Sequence, residues 1–270
     1  MTTEGRPPAL HVGLRGRGPA AGRRGENPIV FLHAFPLDSR MWEPLADILE
    51  GRGVTCHGFD YPGFGTTPIW LGVAPSIDAI ADAAVETLRN GIGAGAAHWV
   101  GCSMGGYVAL AIAERWPDAV AGLGLADTRS SADDEVKRRA RLVAARDIEG
   151  RSSFPDPRGQ AEALVGLSGD ARERVVAVAT AIIADAPPTA AAWGQRAMAA
   201  RPDRTSVLAR LSRPTVVVWG DADRLASRAE ADVMAGAARR PTVVVPGAGH
   251  LSPLENPVAI ADALAPLFVR

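Results

Sequence analysis

The stretch Ala97-His98-Trp99-Val100-Gly101-Cys102-Ser103-Met104-Gly105-Gly106 limits what this chain can fold into more than any other. A short apolar run reaches Gly101, and an Ala-rich amphipathic run starts at Tyr107 and continues to Trp116. The pattern reads strand, sharp turn, helix, with Gly-x-Ser-x-Gly at the corner. A serine there is forced into a strained backbone conformation that lifts its hydroxyl above the sheet edge. The residues two before and two after it must be small, or side chains collide in the turn. Gly101, Gly105 and Gly106 meet that demand. Patterns with three fixed positions in five recur by chance, so the corner alone marks Ser103 only as a candidate nucleophile.

The rest of the chain supplies the sheet such a corner needs. Apolar runs at Pro28–Leu32, Val54–Phe59, Val120–Ala126, Pro214–Trp219 and Thr242–Val245 read as strands, the first covered on both faces. Leu10–Leu14 reads as a short edge strand. Helical spacing between the strands appears at Arg40–Glu50, after Ser76 as an N-cap through Arg89, at Ser227–Ala238, and at Pro253–Phe268 as one closing helix. Alternating strands and helices predict an α/β fold with a mostly parallel central sheet and helices on both faces. Between Thr128 and Ser212 no strand pattern appears. Ala, Arg, Glu and Asp dominate in helical runs broken at Pro155, Pro157, Pro187 and Pro188. We therefore expect a first core part at 1–127, a helical cap at 128–212, and a second core part at 213–270. Gly16 to Gly25 reads as loose or turn-like. The Gly16-x-Gly18 spacing resembles a dinucleotide fingerprint, but Pro19 and the Arg23-Arg24 pair spoil the helix that should follow, so that reading is rejected.

In an open parallel sheet, useful chemistry lies at the carboxyl ends of the strands, where loops and helix N-termini converge. Ser103, Asp223 and His250 each fall just after such a strand, and in that order. A serine hydroxyl is a poor nucleophile unless a base lies within hydrogen-bond reach, and the base needs a carboxylate to hold its tautomer. Among the histidines, His11 sits in a poor edge segment, His57 and His98 lie inside expected strands, and His33 precedes a loop; His250 is the candidate base. Asp223 is the candidate acid, with Asp221 in the same turn and Asp127 at the end of the preceding strand as rivals. An oxyanion would need two backbone N–H donors. Met104 supplies one at the helix N-terminus, and Phe35, in the loop after the Pro28–Leu32 strand, is the candidate for the second. Trp42, Trp193 and Met104 are candidates to line an apolar acyl pocket, against core packing as the plainer role.

Composition narrows the partners. A formal net charge of −1 argues against nucleic acid or an anionic membrane surface, which select a basic excess. No apolar run reaches the roughly 18 residues a membrane span needs. Met1 to Ala9 lacks the basic start and apolar core of a secretory signal, so a cytoplasmic location is expected. Cys56 and Cys102 read as small buried hydrophobes rather than a disulfide or metal site. No cofactor and no metal are expected, and the oligomeric state stays open, a homo-oligomer included.

Five segments then carry a resemblance: His33-Ala34-Phe35-Pro36, Asp60-Tyr61-Pro62-Gly63-Phe64-Gly65, Gly101-Cys102-Ser103-Met104-Gly105-Gly106, Gly220-Asp221-Ala222-Asp223 and Gly249-His250. Over nearly its whole length the chain resembles the α/β-hydrolase fold superfamily. Within it, the chain is similar to the small bacterial esterases, the 3-oxoadipate enol-lactonase-like enzymes and the non-haem haloperoxidase-like (perhydrolase) group. The resemblance implies Ser103 as nucleophile, Asp223 as acid, His250 as base, Phe35 and Met104 as oxyanion donors, and a helical cap over the site. Two departures stand out: Ala34 replaces the usual glycine, and Arg224-Leu225-Ala226-Ser227 lacks a proline often found there. The Ala34 change is mild if the position keeps a negative φ and costly if it does not. The expected function is a serine hydrolase cleaving a small ester-type bond, as a carboxylesterase or lactonase, through an acyl-enzyme. The same triad also serves perhydrolysis, C–C or thioester cleavage, and elimination or cyclisation; a non-catalytic small-molecule receptor is the alternative of another class.

Overall fold

A computed structural model describes residues 7–15 and 27–268. The Gly16–Gly25 segment, with its rejected dinucleotide pattern, lies outside the described residues. Seven strands form one sheet: β1 (His11–Arg15), β2 (Ile29–Leu32), β3 (Cys56–Asp60), β4 (Ala97–Cys102), β5 (Val120–Ala126), β6 (Thr215–Gly220) and β7 (Thr242–Val245). Their spatial order is β1-β3-β2-β4-β5-β6-β7. β1 runs antiparallel to β3, and every other pair is parallel. Register aligns the carboxyl ends, with Leu32 opposite Gly101, Cys102 opposite Ala126, and Gly220 opposite Val245. The loops that follow therefore open at one edge.

The helices of the core are α1 (Glu43–Gly51), α2 (Ile77–Glu86) and α3 (Met104–Arg115). Five more fill the span between β5 and β6: α4 (Glu135–Glu149), α5 (Pro157–Leu164), α6 (Gly169–Ala184), α7 (Pro188–Ala199) and α8 (Thr205–Arg210). Then come α9 (Arg228–Ala237), α10 (Ser252–Glu255) and α11 (Pro257–Ala263). Helix α3 is buried from Met104 through Ala113, as an apolar helix under the sheet centre must be. It packs against α2 and α8, while α1 packs against α10 and α11. Trp42, fully buried and stacked 4.7 Å from Phe31, belongs to this core, the plainer of its two expected roles, and does not line a pocket.

Local signals explain most boundaries. The Ser76 hydroxyl accepts from the Asp78 and Ala79 N–H groups and starts α2. Ser227 and Glu230 form a reciprocal capping box on α9. α2 keeps regular turns only to Glu86; Thr87–Ile92 is a wider π turn, so the helix expected to reach Arg89 changes character earlier. The closing run expected as one helix is α10 and α11 followed by a 3-10 turn at Ala265–Leu267. Pro257 cannot donate an N–H, so the chain breaks at Asn256, whose side chain accepts from Ala259 N–H and starts α11 afresh. Among the described residues no single helix is long and apolar enough to cross a membrane.

Candidate active site

The corner after β4 is built by backbone contact. A Cβ on Gly101 would collide with the Gly105 carbonyl, and one on Gly105 would collide with the Leu32 carbonyl oxygen. A Cβ on Gly106 would run into the Thr128 side chain. The turn is thus so tight that α3 abuts the end of β2, and only hydrogen fits at these positions. Ser103 takes φ 52°, ψ −115°, a left-handed conformation costly for a residue with a Cβ. Its N–H donates to the Ala126 carbonyl at 3.0 Å, and its own carbonyl accepts from the Thr128 hydroxyl at 2.7 Å. The strained residue is therefore held from both sides.

Asp223 and His250 converge on that hydroxyl. The Asp223 carboxylate can only accept, so His250 Nδ1–H donates to it, at 2.9 Å to Oδ2 and 3.1 Å to Oδ1. Nε2 of the neutral ring is then an acceptor, and Ser103 Oγ–H donates to it at 2.7 Å. The Asp223 carboxylate is fully buried and the His250 side chain 6% exposed, so the relay is shielded from water. Asp223 Oδ1 also accepts from Leu225 and Ala226 N–H at 2.7 and 3.1 Å. Those donors fix its orientation in the segment that lacks the proline.

The rival acids have other partners. Asp221 accepts from Gly247 N–H at 2.6 Å and braces the turn after β6 against the turn after β7. Asp127 is completely buried and accepts from Gly220 N–H at 2.9 Å and Ser252 N–H at 3.0 Å, not from the imidazole. Burial pushes its pKa up to about 7; the nearby Asp223 charge adds to the rise, while His250 and the two N–H donors oppose it.

The loop after β2 faces the same corner. Ala34 is fully buried and is not among the described non-glycine residues with positive φ, so its replacement of glycine is the mild case. His33 is buried. Its Nδ1–H donates to the Ala34 carbonyl at 3.0 Å and Nε2 accepts from Tyr61 N–H at 3.1 Å. Burial holds its pKa below the ordinary value, which keeps that neutral tautomer. Because the Ala34 carbonyl and the Phe35 N–H share one peptide plane, the bond from His33 fixes the direction of that N–H. The Phe35 ring lies edge-on to Phe64 and against Gly194 of α7. Met104 opens α3, where its N–H has no carbonyl of an earlier turn to reach. Trp193 packs edge-on to Trp70, and its indole donates to the Val73 carbonyl at 3.4 Å.

Cys56 and Cys102 are buried and free, and the Cys102 thiol donates to the His250 carbonyl at 3.4 Å. Among the described residues, no group of three or more His, Cys, Asp or Glu side chains is arranged to hold a metal ion.

Glu255 belongs to the site although no sequence motif marks it. Its buried carboxylate collects the backbone N–H groups on both sides of His250. The signal the sequence offers is an acid among Pro253, Leu254 and Pro257, just before Asn256-Pro257.

Comparison with known proteins bears on the family and the fold. The sequence model of the alpha/beta hydrolase family matches residues 29–263. A pimeloyl-[acyl-carrier protein] methyl ester esterase of Xanthomonas campestris pv. campestris is 29% identical over 273 residues, covering 94% of this chain and 97% of that one. A thermophilic esterase from Thermogutta terrifontis superposes with a TM-score of 0.80 at 33% identity, with 88% of each chain covered. The enol-lactonase from Burkholderia xenovorans superposes with a TM-score of 0.78 at 23% identity, over 97% of this chain and 96% of that one, and so shares the fold.

Proposed function

Since this chain belongs to the alpha/beta hydrolase family, we propose that it is a serine hydrolase that cleaves a small carboxylic ester or lactone through an acyl-enzyme. The observation that carries the reading is the unbroken line Ser103 Oγ–His250 Nε2 at 2.7 Å and His250 Nδ1–Asp223 Oδ2 at 2.9 Å. Relatives named as esterases support ester cleavage as the reaction.

Ser103 Oγ attacks the acyl carbonyl as its proton passes to His250 Nε2. Asp223 holds the ring and stabilises the imidazolium. The N–H groups of Met104 and Phe35 receive the oxyanion, the first aided by the positive end of α3. The imidazolium then protonates the leaving alkoxide, which departs as the alcohol. Water, deprotonated by the same ring, adds to the acyl-enzyme and releases the acid and the free serine. For a lactone the leaving hydroxyl stays on the product. Helices α4–α8 cover the site as a cap, Asp127 is a bystander to the proton relay, and the ligand is a small acyl compound.

The test is turnover of short-chain p-nitrophenyl esters by the parent and by Ser103→Ala, with fluorophosphonate labelling alongside. The alanine variant is expected to lose both, turnover falling by about a thousandfold or more. Equal activity in the two proteins removes Ser103 as the nucleophile. Labelling of the parent without turnover of any ester, lactone or thioester favours a receptor.

A further inference from the structure

Four successive backbone N–H groups surround the base, and each has a defined acceptor. Gly249 N–H donates to both oxygens of Glu255 at 3.0 Å. His250 N–H donates to the Leu164 carbonyl at 2.9 Å. Leu251 N–H donates to Glu255 Oε1 at 3.1 Å, and Ser252 N–H to Asp127 Oδ2 at 3.0 Å. Two of these four acceptors belong to one carboxylate, and a third lies at the end of α5. The same carboxylate reaches further. Glu255 Oε2 accepts from Gly166 and Leu167 N–H, at 2.8 and 3.1 Å, in the turn between α5 and α6. That turn lies against the base loop backbone to backbone, and a Cβ on Gly166 would stand 2.5 Å from Gly249 N and 2.7 Å from its Cα.

We infer that Glu255 is a positioning residue for the proposed hydrolase: it sets His250 against Ser103 and locks the α5–α6 turn of the covering helices to the base. The inference rests on the serine-hydrolase reading. A carboxylate suits the task because it accepts at both oxygens and donates at neither. Donors from the base loop meet both oxygens, and the donors from the α5–α6 turn meet Oε2. A glutamine has one accepting oxygen, so its amide N–H₂ must face either the Leu251 donor or the Gly166 and Leu167 donors, while Gly249, which reaches both oxygens, keeps one acceptor. One side of the joint then loses its acceptor, and the buried donors left there repel the amide. Ring placement follows, because His250 lies between the two residues that Glu255 holds.

The test compares the parent with Glu255→Gln and Gly166→Ala. Gly166 does not occupy the positive-φ region, so alanine there disturbs the contact with Gly249 rather than the local backbone. Fluorophosphonate labelling of Ser103 is followed to completion, giving an amplitude and a rate constant, with kcat and KM for a short-chain p-nitrophenyl ester. A merely structural defect lowers the amplitude, since fewer molecules are folded. Loss of positioning lowers the rate constant of molecules that still label completely. We expect Glu255→Gln to label about 10- to 100-fold more slowly, kcat to fall in parallel and KM to move less. Gly166→Ala is expected to slow labelling in the same direction, and it carries the test if Glu255→Gln does not fold. Parental rate constants in the folded variants, with only the amplitude changed, overturn the inference alone. An unlabelled parent overturns the hydrolase reading and this inference with it.

Discussion

At the scale of single residues, Ser103 and the neighbouring Asp127 both hold positive φ, at 52° and 48°. A side chain at φ 52° carries local strain on the order of 1–3 kcal/mol, which glycine would not. Ser103→Gly is therefore expected to be more stable than Ser103→Ala by about 1 kcal/mol in urea unfolding, with both inactive. Equal stabilities would mean that the corner is not strained. Asp127 provides a second check. Its pKa of about 7 lies above that of a carboxyl in an unfolded chain, so the native state keeps a proton that the unfolded state has released. Its contribution favours the fold on the acid side and is lost as pH rises from about 4 to about 7. Asp127→Asn removes the titrating group, at the cost of one of its two N–H acceptors, and its melting temperature is expected to vary less with pH over that window than the parent's. An unchanged slope would place the titration elsewhere. For turnover, Asp223→Asn is expected to be the more damaging of the two carboxylate changes, because only Asp223 touches the imidazole. A reversed ranking in kcat/KM would move the acid to Asp127.

At the scale of elements, the five helices after β5 are pinned by buried arginine. The Arg201 guanidinium, 2% exposed, bonds Asp133 at 2.8 Å and the Met198 and Ser131 carbonyls, and stacks 4.0 Å from the Tyr107 ring of α3. Burial raises the Asp133 pKa, but the Arg201 and Arg141 charges overcome that and hold it at about 2. The sign is opposite to that of Asp127: the stabilisation is present above about pH 4 and fades as pH falls toward 2. Asp133→Asn leaves Arg201 without its counter-charge and is expected to lose about 3 kcal/mol at pH 7, a deficit that shrinks by pH 3. Urea midpoints at the two pH values measure it. The parallel strands are legible because buried parallel strands are apolar runs, the fully buried Ile29–Leu32 being the clearest, whereas antiparallel β1 at the sheet edge shows only as a short segment near Leu10–Leu14. The closing helix was misjudged because the apolar spacing of Leu254, Val258 and Leu264 runs on past Pro257, whose missing N–H decides the break. α8 went unread: six residues are too few to show a period. Ser103, Asp223 and His250 could be ordered from their places after strands. Glu255 could not, because a carboxylate that binds main-chain N–H groups imposes no spacing on side chains elsewhere.

At the scale of the whole molecule, the helices after β5 are joined to the helices and loops around the sheet at several distant places. Arg204 ties α8 to Glu114 of α3 and Asp78 of α2, Glu255 ties the α5–α6 turn to the loop after β7, and Gly194 of α7 rests on Phe35. Far-UV circular dichroism and tryptophan fluorescence are therefore expected to report one coincident urea transition, since Trp99 lies in the sheet and Trp193 in α7. Two separated midpoints would make helices α4–α8 an independent unit. The crowded corner at Gly101, Gly105 and Gly106 has a different consequence. Where only hydrogen fits, no side chain can be added, so the floor under Ser103 offers no position at which a substitution could reshape it. Under the proposed function, any redesign for a different acyl group has to act on the loops and helices above that corner and leave the corner as it is.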